Sequence, residues 1–237
     1  MDAHCEPENN WLPPLLTITS RDPTHVAIPL IDIIDNKDFG FHDRDFYTSF
    51  LQHLDPSDLG LARGIFNWKL QWKRFRVNPY EYEFGRERPS EPYPSPAMAG
   101  GLFAIDKDFF KSLNYYDEGL DIWGAEQYEL SFKIWMCGGA MLDVPCSRVG
   151  HIFRGEGWAG NGVPKNVKPG FVKRNNQRVV EVWMDEYKSK YYEMTKERPV
   201  DIGDVSEQKK FRETCKSFDW FMKHVAYDLE DKYNLIS

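Results

Sequence analysis

The sequence lacks any run approaching the ~20 apolar residues that a membrane span requires. Its longest apolar stretch, Val26 to Ile34, is broken by Pro29 and Asp32. No basic segment followed by an apolar one comes after Met1, so no signal peptide is expected. The four cysteines, Cys5, Cys137, Cys146 and Cys215, include no C-x-x-C pair, which argues against a structural zinc site. No G-x-x-x-x-G-K-[ST] loop occurs, so this common phosphate cradle is absent. There is no internal repeat, no low-complexity segment and no basic stripe. With a formal net charge of -7, the last absence argues against a nucleic-acid partner.

What is present suits a globular chain. The 237 residues are 41% hydrophobic and 15% aromatic, enough for a sizeable core in one domain. Pro13 and Pro14 follow Trp11-Leu12, as in the first turn of a short helix. Residues 24–35 read as a strand covered on both faces, because the run is mostly apolar. Phe66 to Trp72 alternates large apolar and polar residues and reads as a half-buried strand. Residues 78–96 read as a long connection. Short strands are expected over 101–105 and 141–144, with a helical turn over 107–112. Residues 126–136 read as a helix stopped by Gly138-Gly139. The strongest helix is expected over 176–194, on the spacing of Val179, Val182, Trp183, Tyr187 and Tyr191. Shorter helices are expected over 206–213 and 216–228. Strands come first and helices last, which suits an α/β domain closed at one end by helices.

The chemistry concentrates at both ends of the stretch from Pro96 to Arg154, and at the N-terminus. Asp2 and His4 stand two apart, and in an extended segment would point the same way. They would then hold one ion; the alternative is a disordered terminus. His151 is either a satisfied structural histidine or a third ligand, with Arg154 three residues on to neutralise a phosphate. An Asp and His set suits manganese better than calcium. Gly100-Gly101 allows close backbone approach to a ligand, or is a simple bulge. Glu126, after Trp123-Gly124-Ala125, either complements a helix dipole or accepts hydrogen bonds from a sugar, with Trp123 packing on an apolar face. Residues 155–170 carry five glycines and two prolines around Trp158 and form a mobile-loop candidate. No compelling nucleophile–base pair is visible. Residue chemistry alone reaches an α/β domain with a metal and diphosphate site and names no reaction.

At these residues the chain resembles the polypeptide N-acetylgalactosaminyltransferases. The resemblance is carried by Asp2-Ala3-His4-Cys5-Glu6, Met98-Ala99-Gly100-Gly101-Leu102-Phe103-Ala104, Asp121-Ile122-Trp123-Gly124-Ala125-Glu126, Val149-Gly150-His151-Ile152-Phe153-Arg154 and Glu181-Val182-Trp183-Met184-Asp185-Glu186-Tyr187. It implies a GT-A fold, here as the C-terminal part of a catalytic domain spanning residues 1–237, without the uridine-binding strands, a lectin domain or a membrane anchor. It implies Mn2+ held by Asp2, His4 and His151, UDP-GalNAc as donor, and a Ser or Thr hydroxyl of a peptide or glycopeptide as acceptor. The reaction would retain the anomeric configuration, with the leaving phosphate taking the acceptor proton. Gly101, Trp123, Gly124, Glu126 and Arg154 would serve the donor, Glu126 and Arg154 also the chemistry. Phe66, Trp68 and Phe153 would line the peptide groove. Cys137 and Cys215 match positions that pair as a disulfide in the family, and the implied location is the Golgi lumen. Two departures stand out. The family usually has Gly-Gly-Glu where this chain has Gly124-Ala125-Glu126, and the loop from Gly155 looks like the subgroup that prefers already glycosylated peptides. The rival readings are a non-catalytic glycoprotein-binding module and a β-galactosyltransferase-like enzyme. Gln127-Tyr128 after Glu126 argues against the second, which carries acidic residues there.

Overall fold

Two long parallel strands carry the architecture. In a computed structural model, which describes residues 1, 3–42, 62–76, 90–152 and 170–230, strand β2 (His25–Ile34) runs parallel to β7 (Ala140–Ile152). Seven consecutive residues of β2 are buried, as its mostly apolar run requires of a strand covered on both faces. Pro29 has no N–H for the ladder. The register shifts beside it: Pro29 pairs with Val144 and Leu30 with Arg148, so residues 145–147 fall out of the pairing. The expected four-residue strand over 141–144 is therefore a thirteen-residue one. Pro145 and Cys146 break its apolar pattern, but a bulge carries the strand past them.

The remaining strands are short. β1 (Cys5–Pro7) pairs antiparallel with the end of β7, and β3 (Phe41–His42) pairs with the end of β2. β4 (Ala62–Phe66) and β5 (Trp72–Arg76) form a separate hairpin. β6 (Tyr93–Pro94) pairs with the first part of β7. The alternating stretch from Phe66 to Trp72 is thus the hairpin's turn and not a strand. Asn67 makes it, its side-chain oxygen accepting from the N–H groups of Lys69 and Gln71, both at 3.0 Å. Of the strand expected over 101–105, only a bridge between Ala104 and Ala27 forms.

Helix α1 (Leu12–Arg21) starts on its prolines as expected, and its Leu15 and Ile18 pack on Ala27 and Val144 of the sheet. Helix α2 (Lys107–Ser112) is capped by Asp106, whose carboxylate accepts from the N–H groups of Asp108 and Phe109. Helix α3 (Glu126–Met136) is the centre of the molecule. Leu130 and Ile134 face the sheet with Val26, Ile28 and Met141. Tyr128, Phe132 and Met136 face a second core built by the helices that follow. Having no solvent face, α3 buries even Glu129 and Lys133.

The long helix expected over 176–194 is two helices, α4 (Phe171–Trp183) and α5 (Lys188–Thr195), joined by a 3-10 turn over Asp185–Tyr187. Asp185 adopts φ 44° at the break. Its carboxylate accepts from Phe218 N–H and from Arg212, both at 2.7 Å, so tertiary partners hold the interruption. Helices α6 (Ser206–Arg212) and α7 (Phe218–His224) complete the described chain, and Cys137 at the end of α3 is disulfide-bonded to Cys215 just before α7. Among the described residues no helix is long and apolar enough to cross a membrane.

Candidate functional site

Strand pairing brings two histidines together. Cys5 lies opposite His151 in the antiparallel β1–β7 ladder, and Ile152 N–H donates to His4 C=O at 3.1 Å. The His4 and His151 rings consequently meet edge to face, with centroids 4.5 Å apart. His4 is exposed and His151 half-buried, so the pair faces an approachable surface. Two imidazoles at this spacing are a nitrogen donor set for a borderline divalent cation and not for calcium, which takes oxygens. The two histidines therefore fit a first-row transition-metal dication. Among the described residues no group of three His, Cys, Asp or Glu converges on an ion. Asp2, Phe153 and Arg154 lie outside the described residues, as does the expected loop from Gly155. That loop contains Gly155-Glu156-Gly157-Trp158-Ala159-Gly160, which spells G-x-G-x-x-G, a weak signal alone.

The glycine pair packs between the histidine strands and the start of α3. Gly100 and Gly101 have φ of 91° and 76°. A methyl group on Gly100 would sit 3.2 Å from Gln127 Cβ, so its missing side chain lets the turn close on α3. Leu102 then enters a small cluster with Ile31 and Val149, against Cys5. One segment thereby links β1, which His4 precedes, and β7, which carries His151, to the helix that begins at Glu126.

The loop before Glu126 is strained. Ile122 has φ 46°, and Trp123 N–H donates to Asp121 C=O at 2.6 Å, a γ-turn around a positive φ. Gly124 and Ala125 follow at 97° and 75°. Ala125 precedes α3 without any side-chain cap. The indole of Trp123 is left 59% exposed beside an equally open Ile122. Helix α4 holds this loop through Asn175, which bonds Asp121 in both directions, and through Arg174, which donates to Gly119 C=O at 2.7 Å. Neither residue stood out in the sequence. The available signal was two adjacent asparagines, poor helix formers, inside a strongly periodic helix.

Phe66 and Trp68, expected to line a peptide groove, sit in the helical core. Phe66 is fully buried, with ring centroids 5.2 Å from Phe132 and 6.3 Å from Phe221. Trp68 is 3% exposed, stacked on Tyr187 and covered by the Lys190 ammonium 4.9 Å from its ring. The hairpin turn folds onto the helical core, so both aromatics serve packing.

The parallel β2–β7 pair with covering helices, and the histidine pair at the start of β1 and on β7, belong to a GT-A type nucleotide-sugar transferase fold, present in part. The chain superposes with TM-score 0.84 on a crystal structure of GalNAc-T7 with UDP, GalNAc and Mn2+, at 46% identity, over 99% of this chain and 41% of that one. A family profile described as the N-terminal domain of galactosyltransferase matches residues 82–155. N-acetylgalactosaminyltransferase 7 of Rattus norvegicus and of Homo sapiens are each 49% identical over 99% of this chain. Polypeptide N-acetylgalactosaminyltransferase 10 of Homo sapiens is 46% identical over 98%. The chain is a homologue of these N-acetylgalactosaminyltransferases along nearly its whole length. It spans about a third of theirs, 35% and 36% respectively.

Proposed function

We propose that the chain is part of an enzyme that transfers N-acetylgalactosamine from UDP-GalNAc to Ser or Thr hydroxyls of polypeptides or glycopeptides. Transfer would retain the anomeric configuration, depend on manganese and take place in the Golgi lumen. The observation that carries this reading is one continuous packing arrangement. It links the His4–His151 pair, the Gly100–Gly101 turn and the strained loop before Glu126. The relatives' names, and the UDP, GalNAc and Mn2+ of the GalNAc-T7 structure, support the choice of donor and metal.

Asp2, His4 and His151 would hold the ion, which when bound supplies positive charge against a departing diphosphate. The chain's own residues do the rest. The bare backbone of the Gly100–Gly101 turn admits the donor without side-chain clash. Glu126 accepts hydrogen bonds from sugar hydroxyls, and Trp123 offers an apolar face to the donor. Arg154 balances phosphate charge. No residue need act as base if the leaving phosphate takes the acceptor proton on the same face of the sugar.

Calorimetric titration with UDP and UDP-GalNAc, with and without Mn2+, tests the reading. Metal-dependent binding is expected, and His151→Ala should remove it. A folded chain that binds neither nucleotide with Mn2+ would sink the proposal. Unchanged binding by His151→Ala would take His151 out of the metal site. A galactose-transferring reading is favoured by the galactosyltransferase profile over residues 82–155. Preference for UDP-galactose over UDP-GalNAc in the same titration would select it.

A further inference from the structure

The loop over residues 121–125 is strained and its first three residues are exposed, so its conformation needs an external support. Positive φ at Ile122 and Ala125 disfavours it locally, and no side chain caps the helix it leads into. The support comes from inside α4. Asn175 is fully buried, and its Oδ1 accepts from Asp121 N–H at 2.9 Å. Its Nδ2 faces three carbonyls, those of Asp121 at 2.6 Å, Gly124 at 3.0 Å and Trp123 at 3.3 Å. A buried amide is costly unless bonded, and an asparagine in a helix interior is unfavourable. The loop's backbone satisfies this side chain on both its acceptor and its donor side. Arg174 adds a second hold, donating to Gly119 C=O at 2.7 Å and pairing with the Asp121 carboxylate at 3.0 Å.

We infer that Asn175 is a positioning residue for the sugar-nucleotide site. It acts through the loop's backbone to set the places of Trp123 and Glu126, and touches no ligand itself. A group on a rigid helix fixes a site more tightly than the loop can fix itself. The inference rests on the donor site proposed above. Its consequence is selective: loosening the loop weakens binding of the sugar nucleotide more than binding of UDP, because Glu126 serves the sugar.

The test combines hydrogen exchange with calorimetry on wild type, Asn175→Ala and Asn175→Asp, all with Mn2+. The aspartate keeps the acceptor for Asp121 N–H and loses the donors to the carbonyls. In both variants, exchange at the amides of residues 121–125 should rise by at least about tenfold, while mid-helix amides of α3 stay at the wild-type rate. The Kd for UDP-GalNAc should rise by on the order of tenfold to a hundredfold, and that for UDP by less than about threefold. Wild-type exchange in the loop of Asn175→Ala overturns the inference. So does a loosened loop that binds UDP-GalNAc as wild type does, since the asparagine then only packs. If neither variant folds, Arg174→Met takes their place and must move the same amides and the same ratio of affinities. A wild type that binds no sugar nucleotide fails the donor reading first, and the inference with it. Tight wild-type binding beside an indifferent variant overturns the inference alone.

Discussion

A left-handed backbone at Ile122 and Ala125 decides which side chains the loop before Glu126 tolerates. Ala125 stands where the resembling family usually has glycine, and it is 1% exposed at φ 75°. The left-handed region costs a non-glycine residue roughly 1 kcal/mol. Burying the methyl returns about 0.8 kcal/mol, and restricting the unfolded chain relative to glycine returns about 0.4–1 kcal/mol. The terms nearly cancel, so alanine fits here with little net effect. Ile122 has no such compensation. It is β-branched, 56% exposed and at φ 46°. Asparagine tolerates that region far better. Ile122→Asn should therefore raise unfolding stability by about 1 kcal/mol, read as a higher urea midpoint at unchanged m-value. A lower midpoint would mean that Ile122 packs on something that outweighs its strain. In the sequence, Ile122 read only as part of a motif. Backbone strain leaves no mark in residue types unless the position is a glycine.

Elements were legible where local chemistry decides them. The prolines of α1, the mostly apolar run of β2 and the Gly138-Gly139 stop of α3 are all local signals, and these three elements form as expected. The misreadings come where a distant partner decides. β7 continues through Pro145 because β2 resumes pairing beyond the bulge. The helix over 176–194 breaks at Asp185 because Arg212 and Phe218 claim its carboxylate. Phe66 to Trp72 has a strand's alternation, but Asn67 bends it into a turn. The site was legible as a set of motifs and not as a geometry. Spacing suggested Asp2 and His4 as partners and residue chemistry offered His151 as a third ligand, while the adjacency of His4 and His151 needed the β1–β7 register, and Asn175 needed the fold. The disulfide is an element-scale device too. It ties the end of α3 to the start of α7 across 78 residues, beside a hydrogen bond from Lys216 N–H to Met136 C=O at 2.8 Å. Closing so long a loop in the unfolded chain is worth roughly 2–5 kcal/mol. The double variant Cys137→Ser, Cys215→Ser should lose that amount in denaturant unfolding. A loss under about 1 kcal/mol would show that packing of α7 on α3 holds this corner without the bond.

At the scale of the molecule, the fold carries a set of buried charges, one pair of them on α3 between the two cores. Glu129 pairs with Lys133, whose ammonium also donates to Tyr115 C=O at 2.8 Å. Asp117 pairs with Arg178 at 2.6 Å, and Asp143 with Arg74 at 3.3 Å beneath the sheet. Burial pushes the Glu129 carboxyl from 4.5 up to about 7, against the pull of Lys133. Burial likewise raises Asp143, against Arg74. Both raised groups make the folded state bind protons more tightly than the unfolded one. Their stabilisation is complete below the unfolded pKa and disappears as pH rises through the folded one. Asp22, Asp204 and Asp219 act the other way: hydrogen bonds hold them below 3.8, so they lend stability above that pH and lose it in stronger acid. The two windows leave maximum stability near about pH 4 to 4.5, with a decline from there to about pH 7. From Glu129 alone the decline amounts to at most roughly 3 kcal/mol. Urea unfolding from pH 4.5 to 8 should show stability falling through pH 7. Glu129→Gln, which keeps the shape and an acceptor for Lys133 but cannot titrate, should flatten most of that limb. A wild-type profile that is level or rising from pH 5 to 7.5, or a Glu129→Gln profile with the original slope, would mean that Lys133 keeps Glu129 ionised in the fold. The charge between the two cores would then be carried as an ion pair at every pH in that range, and α3 would be a pH-independent centre.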